Sequence, residues 1–274
     1  MTSEKLQKVL ARAGIGSRRE MERRIEDGRV EVNGHRATLG DRVDDSARIR
    51  VDGRLVGAAA RAAGERQVIA YHKPTGELVT RHDPEGRKTI FPRLPRLRAG
   101  RWLSVGRLDI NSSGLLLLTT DGELANRLAH PSWQMARDYA VRIFGEVEEG
   151  VIQRLLNGVT LDDGKAAFES IQALDPGEQA NRWYRVRVRE GKNRLVRRLW
   201  ESQGVQVSRL IRVQYGPYEM PPRLREGQCQ TLTSGEIRDL AHRVGLGDVT
   251  ADTPTAGAGR RPGSRSSGFR GRRQ

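Results

Sequence analysis

Four consecutive leucines, Leu115 to Leu118, followed by Thr119-Thr120 and bracketed by Gly114 and Asp121-Gly122, limit what this chain can fold into more than any other stretch. A short run that is apolar throughout and closed by turn-forming residues at both ends reads as a buried strand. The preceding segment, Val105-Gly106-Arg107-Leu108-Asp109-Ile110-Asn111-Ser112-Ser113, is largely polar, so the strand has a loop carrying one acidic side chain, Asp109, at its mouth. Asp109 can serve as a plain Asx-type turn residue with the Asn-Ser-Ser-Gly that follows, or as a reactive group mounted on rigid structure. It also occupies position one of a calcium-loop pattern, with Asn111, Ser113 and Gly114 at positions three, five and six. Position twelve, where a bidentate Glu is required, is Thr120, and the residues before the loop are no helix, so calcium is excluded. The turn reading and the catalytic reading both stand at this point.

Charge narrows the partner. The 274 residues carry a formal net charge of +15, with arginine spread along the whole length rather than confined to a tail, which favours a polyanion and most simply nucleic acid. A single cysteine, Cys229, cannot form an internal disulfide, the first residues lack the apolar run of a signal peptide, and no segment approaches the ~20 apolar residues of a membrane span. A cytoplasmic protein with no membrane partner is expected. His35, His72, His82, His130 and His242 show no metal-ligand spacing, and there is no phosphate-cradling glycine loop or convincing carboxylate pair. Neither a metal nor a cofactor is expected.

In chain order, Leu6, Val9, Leu10 and Ala13 recur at helical spacing up to Gly14, and Ser17-Arg18-Arg19-Glu20 is a capping box opening a second helix that stops at Gly28. Val30-Glu31-Val32, the hairpin signal Asn33-Gly34, and short β-like runs around Val43 and Ile49 to Val51 complete an αα-β module over residues 1–56. Lys5, Lys8 and Arg12 step along the first helix, and Arg18, Arg19, Arg23 and Arg24 crowd the second. Read alone they are solvated faces with some intrahelical pairing. The run from Leu6 to Glu20, followed by Gly28-Arg-Val-Glu-Val-Asn-Gly34, closely resembles the small RNA-binding domain named for ribosomal protein S-four, which implies that these seven basic residues dock structured RNA.

Residues 57–66 lack large apolar side chains and read as a linker. A strand from Gln67 to Tyr71 leads to the turn Lys73-Pro74-Thr75-Gly76, and residues 81–100 form a long basic loop whose Arg87, Lys88, Arg93, Arg96 and Arg98, with Arg101, read either as a track for a phosphate backbone or as the charges of an ordinary solvated loop. Thr120-Asp-Gly-Glu123 reads as a capping box for a helix ending near His130-Pro131. Arg137 to Ile143 alternates as a strand with Tyr139, Val141 and Ile143 on one face, and Val151 to Leu156 is helical. Trp183 to Val188 is a strand, Gly191 to Gln203 an arginine-rich helix, and Val205 to Tyr215 a strand. The expectation is an α+β catalytic-size domain over residues 67–244. Residues 245–274, rich in Gly, Ala, Ser and Arg, are expected to be a disordered RNA-binding tail.

Gly106-Arg107-Leu108-Asp109, then Asn-Ser-Ser-Gly-Leu-Leu-Leu-Leu-Thr-Thr-Asp-Gly-Glu, resembles the signature of the pseudouridine synthases. The likeness extends to Lys73-Pro74, Arg137-Asp-Tyr139-Ala-Val and Glu190-Gly-Lys-Asn-Arg-Leu-Val-Arg-Arg-Leu-Trp200, and covers the chain from Ser3 to about Leu240. Arg96 to Trp102 and Leu199 to Val213 are most similar to the branch acting on large-subunit (23S) ribosomal RNA. The resemblance implies a mixed, largely antiparallel sheet and an isomerase that converts a uridine of 23S RNA, or of a large-subunit assembly intermediate, to pseudouridine, working as a monomer. It implies that Asp109 is the catalytic aspartate, Tyr139 the ring that stacks on the flipped base and Arg197 the partner of the Asp carboxylate. Leu210 becomes an apolar wall, and Arg107 holds the RNA in place of the flipped base. Lys73, Arg194 and Arg198 are further substrate contacts, while the family often has Gln where Leu195 stands. The chemistry suits these residue types, since a flipped base needs a stacking surface and an ionised carboxylate in a dry pocket needs a nearby cation. The alternatives are an RNA-binding ribosome-assembly protein with an inactive site, and a base-removing glycosylase.

Overall fold

The computed structural model describes residues 3–57, 66–145, 147–174 and 181–247, so the interior of the linker and most of the C-terminal tail lie outside the described residues. The N-terminal module opens with helix α1 (Leu6–Arg12) and helix α2 (Arg18–Glu26). Ser17 accepts from the Glu20 amide at 3.1 Å and Glu20 reaches back to the Ser17 amide at 3.3 Å, so both arms of the capping box are present. A four-stranded antiparallel sheet follows, its central pair Val30–Val32 and Ile49–Val51. Asn33 and Gly34 take φ of 53° and 87°, the left-handed pair that a tight hairpin needs. Leu6, Leu10, Met21, Ile25, Val30 and Ile49 close the small core.

The second domain is built on one large sheet. Its principal strands are β1 (Val68–Lys73), β2 (Ser113–Thr119), β3 (Arg137–Phe144), β4 (Ser170–Ala173), β5 (Asn181–Val188), β6 (Val207–Tyr215) and β7 (Cys229–Thr231), in the spatial order β4-β5-β3-β6-β2-β1-β7. Every pair along this path is antiparallel except β6 and β2, which run parallel with Ile211 opposite Ser113 and Arg212 opposite Gly114. The expected α+β class and largely antiparallel sheet are therefore found. Gly114 makes the parallel join possible: its φ is +102°, and a Cβ there would lie 2.3 Å from the Arg212 carbonyl oxygen.

The leucine run is the centre of this domain, and its alternation splits two cores. Leu115 and Leu117 pack with helix α3 (Gly122–Ala129) and the C-terminal helix, while Leu116 and Leu118 pack on the other face with Ile69, Tyr71, Ile90 and Trp102. All four are fully buried, each contributing about 2 kcal/mol of transfer free energy. A further cluster, around Trp200, Phe168 and Tyr184, joins helix α4 (Glu149–Asn157) and helix α5 (Leu195–Glu201) to β3 and β5. Helix α6 (Ser234–Arg243) ends the described chain, and no helix among the described residues is long and apolar enough to cross a membrane.

Several boundaries differ from the sequence expectation. The cap of α3 is Asp121, whose carboxylate accepts from the Glu123 and Leu124 amides; the Thr120 hydroxyl is taken by the Gln67 amide. Helix α5 starts at Leu195 rather than Gly191, because Arg194 is left-handed at φ 48° and cannot continue a helix. Strand β6 begins at Val207. The 81–100 loop is anchored rather than free: Ile90 and Leu94 are buried beneath it, Arg87 pairs with Asp83 at 2.8 Å, and Arg93 pairs with Glu77 at 2.7 Å. Those two arginines are committed to carboxylates. Lys5 precedes α1 instead of lying on it, in a two-residue strand paired with Arg42–Val43.

Candidate active site

Asp109 sits where the loop leaving Gly106 turns into β2, and the loop is held by its backbone. The Lys73 ammonium donates to the carbonyls of Asp109 at 3.1 Å and Ser112 at 2.9 Å, as well as to its neighbour Pro74. The Gly76 amide donates to Ile110 O, and Arg197 Nη2 donates to Asn111 O at 2.9 Å. Four successive carbonyls, 109 to 112, are thus fixed by donors from β1, the turn after it and α5. The turn closes through Ser112 N to Asp109 O at 3.1 Å, a backbone bond and not an Asx bond from the side chain. The Asp109 carboxylate itself has no hydrogen bond or ion pair among the described residues, and it faces a cleft of about 260 Å³. A carboxylate held by its main chain and left unpaired in a cleft is poised to act on something that enters.

The same cleft is lined by Tyr139, half-buried on β3, and by Leu210 on the neighbouring strand β6. A β-bulge aims the tyrosine: Asp138 pairs with Gln214 and Tyr139 with Arg212, so Val213 has no partner on β3. The neighbouring Asp138 points to the other face, where it is 2% exposed and receives Arg187 Nε at 2.7 Å and Arg185 Nε at 3.0 Å. Burial raises its carboxyl, but the two guanidiniums outweigh that and hold it below the usual carboxylate range.

Two buried cations hold the Asp109 loop by its backbone. Lys73 is fully buried, and desolvation brings its pKa down to about 8 even though Glu77 and Asp109 oppose the shift. Arg197, 8% exposed, is likewise lowered by desolvation, with Asp109 among the charges that resist it. Its guanidinium does not pair with the Asp109 carboxylate, however; Nη1 and Nη2 go to the carbonyls of Val207 and Asn111. The direct ion pair expected from the sequence is replaced here by a field across the loop and a grip on its backbone.

The remaining expected site residues divide. Arg107 and Arg194 line the cleft and are exposed, while Leu195 lines it from the buried side, apolar among apolar neighbours. Lys73 is expected to touch substrate, but its three bonds go to the carbonyls of Pro74, Asp109 and Ser112, so its ammonium grips the Asp109 loop instead. Arg198 is not at the cleft: its guanidinium is held by both Asp163 oxygens, at 2.9 and 2.8 Å. In the N-terminal module Lys8 and Arg12 pair with Glu4, and Arg24 with Glu20 and Asp52, whereas Lys5, Arg18, Arg19 and Arg23 are exposed.

Sequence reasoning missed Arg137, Arg212 and Tyr215, which also line the cleft. Arg137 and Arg212 each place the guanidinium carbon 5.1 Å from the Tyr215 ring centroid. The only signal in the sequence was the strand alternation, which puts Arg212 on the face of Leu210, and Arg137 on the face of Tyr139.

A loop carboxylate, an aromatic wall and buried cations can bind a planar base, attack it or its sugar, and stabilise negative charge. Comparison with known proteins agrees. Residues 67–202 match the family model described as RNA pseudouridylate synthase, and residues 4–49 match the S4 domain. The chain is 58% identical over 246 residues to "Ribosomal large subunit pseudouridine synthase B" of Pseudomonas aeruginosa, covering 90% of this chain and 64% of that one, so it spans less than two thirds of that relative's length. It is 56% identical over 251 residues to the protein of the same name from Salmonella typhi, covering 91% of this chain and 86% of that one. A crystal structure of a pseudouridylate synthase superposes with a TM-score of 0.60 at 25% identity, covering 86% of this chain and 99% of that one. With the free aspartate, the tyrosine wall and the S4 module in one chain, this protein belongs to the RNA pseudouridylate synthase family.

Proposed function

We propose that this chain converts a uridine of large-subunit (23S) ribosomal RNA, free or within an assembly intermediate, to pseudouridine. The observation that carries the reading is the unpaired Asp109 carboxylate, fixed through its backbone in a cleft that Tyr139 also lines. Relatives named for the large ribosomal subunit support the choice of RNA. The target nucleotide leaves the RNA stack, its base lies against Tyr139 and Leu210, and Arg107 fills the gap left behind. Asp109 adds to the nucleotide, the glycosidic bond from N1 breaks, the base turns and bonds to the sugar through C5, and the bond to Asp109 breaks to return its carboxylate. The proton lost from C5 is balanced by one gained at N1, so the steps need no cofactor. Lys73 and Arg197 keep the loop in register while the surrounding cations stabilise the carboxylate and the charge that develops. Lys5, Arg18, Arg19 and Arg23 on the N-terminal module meet RNA phosphates, and the enzyme works as a monomer in the cytoplasm.

The test is carbodiimide labelling and primer extension on large-subunit RNA treated with wild type or Asp109→Asn. A stop that wild type creates and the variant lacks supports the reading. Strand scission at the same site identifies base removal instead, and binding with no stop in either protein identifies an RNA-binding assembly protein.

A further inference from the structure

Four cationic side chains are buried at the cleft or against the Asp109 loop that borders it: Lys73, Arg137, Arg197 and Arg212, exposed by 0, 7, 8 and 2%, of which Arg137 and Arg212 line the cleft itself. None of them forms an ion pair among the described residues. Lys73 is spent on carbonyls of the Asp109 loop and its neighbour Pro74, and Arg137 on the carbonyls of Met135 and Arg189, while Arg197 gives both terminal nitrogens to carbonyls of the loop and β6 and keeps only its inner, buried Nε without an acceptor. Arg212, which lines the cleft as Arg197 does not, has a terminal nitrogen left over. Its Nε donates to Leu115 O at 2.7 Å, but its Nη2 is fully buried and meets no acceptor in the protein. An arginine cannot shed its charge by losing a proton, so a buried guanidinium nitrogen without an acceptor is a standing cost to the fold.

Its surroundings hold the group without neutralising it. Arg212 lies opposite Tyr139 on one side, and opposite Gly114, which has no side chain, on the other. Tyr215 supports the guanidinium from its ring, and the ring is itself fixed by a bond from its hydroxyl to Leu128 O at 2.8 Å. A second buried polar atom without a partner, Ser112 Oγ, lines the same cleft. The donor without an acceptor therefore belongs to a residue that lines the cleft together with Ser112 and stands opposite Tyr139 across the strand pair.

We propose that Arg212 is a base-recognition residue, its Nη2 donating a hydrogen bond to a ring carbonyl oxygen of the pyrimidine held against Tyr139, with Ser112 beside it as a second polar contact. This rests on the functional reading above. When the bond between N1 and the sugar breaks, the electron pair stays with the base and spreads onto its carbonyl oxygens. The bond from Arg212 strengthens at that moment, and the arginine keeps all its protons. When C5 bonds to the sugar, the pair enters the new bond, and the proton leaving C5 is offset by the one gained at N1.

Replacing a substrate atom tests contact directly, because a residue that only supports the fold is blind to which atom the substrate carries. RNA fragments carrying uridine, 2-thiouridine or 4-thiouridine at the position mapped by primer extension are given to wild type, Arg212→Lys and Arg212→Gln under single-turnover conditions. One of the two sulfur substitutions is expected to slow wild type about tenfold, sulfur being the poorer acceptor, and to change Arg212→Gln by less than about twofold. Arg212→Gln itself slows the uridine reaction about 100-fold, with RNA affinity held within about threefold. Equal sulfur penalties in wild type and variant, with product formed, overturn the assignment alone. So does a wild type slowed by neither sulfur, a result that needs no folded variant. Absence of product from unmodified RNA overturns the functional reading and this assignment with it.

Discussion

Arg197 Nη2 lies 2.9 Å from the carbonyl oxygen of Asn111, two residues beyond Asp109, while Nη1 lies 2.9 Å from Val207 O at the start of β6. The arginine is therefore a clasp between helix, loop and sheet. Replacing it with methionine leaves two acceptors without their donor, and a loss of about 2–4 kcal/mol in denaturant unfolding is expected. Because the loop carries Asp109, kcat should fall more than KM rises. A variant with unchanged stability would show that the clasp does not hold the loop.

Lys73 gives a pH signature. Its folded pKa is lowered to about 8 by burial, against an ordinary lysine value of 10.5. Between those two pH values the unfolded chain holds a proton that the folded chain has released, so stability contributed at this site rises with pH over that window. Below about pH 8 both states are protonated, and the burial penalty is present in full. The stability difference between wild type and Lys73→Met, followed by urea titration from pH 7 to 10, should therefore shift in favour of wild type above pH 8. A flat difference would mean that the lysine is not desolvated.

Gly114→Ala tests the parallel join. The added methyl meets the Arg212 backbone at 2.3 Å, with φ at +102°. The strain and the clash together cost at least about 3 kcal/mol, read as a lowered Tm or loss of folded protein. Gly34→Ala, also at positive φ but with open space around its Cβ, should cost only about 1–2 kcal/mol.

Arg198→Ala should leave the single-turnover rate within about twofold of wild type. Its guanidinium is committed to Asp163, and that half-exposed pair is worth at most about 1 kcal/mol. A large loss of rate would return Arg198 to the substrate path.

Arg19 and Arg23 are exposed on α2 without ion pairs among the described residues. Changing each to Gln should weaken binding to large-subunit RNA and reduce the slope of log affinity against log salt by roughly one for every phosphate the variant no longer neutralises. Lys8→Gln, which removes a cation already paired with Glu4, should change the slope less.

The leucine run, the two-helix module with its capping box and the Asn33-Gly34 hairpin could all be read from sequence, because each depends on neighbours within a few residues. The same holds for Asp109 as a loop carboxylate and Tyr139 as a strand aromatic. Helix α6 was also legible in principle, since Thr233 and Glu236 form a capping box, whereas the short strands β4 and β7 exist only because β5 and β1 offer them an edge. Where each cation ends up was not legible. Lys73, Arg197, Arg198 and Arg212 are alike in charge, and nothing local distinguishes them. The fold sends the first two to the carbonyls of the Asp109 loop, the third to Asp163, and the fourth to Leu115 O at the cleft wall with a terminal nitrogen unspent. A long flexible side chain takes the nearest acceptor that its burial allows, and only the packing of β2 against β6 and α5 decides which acceptor that is.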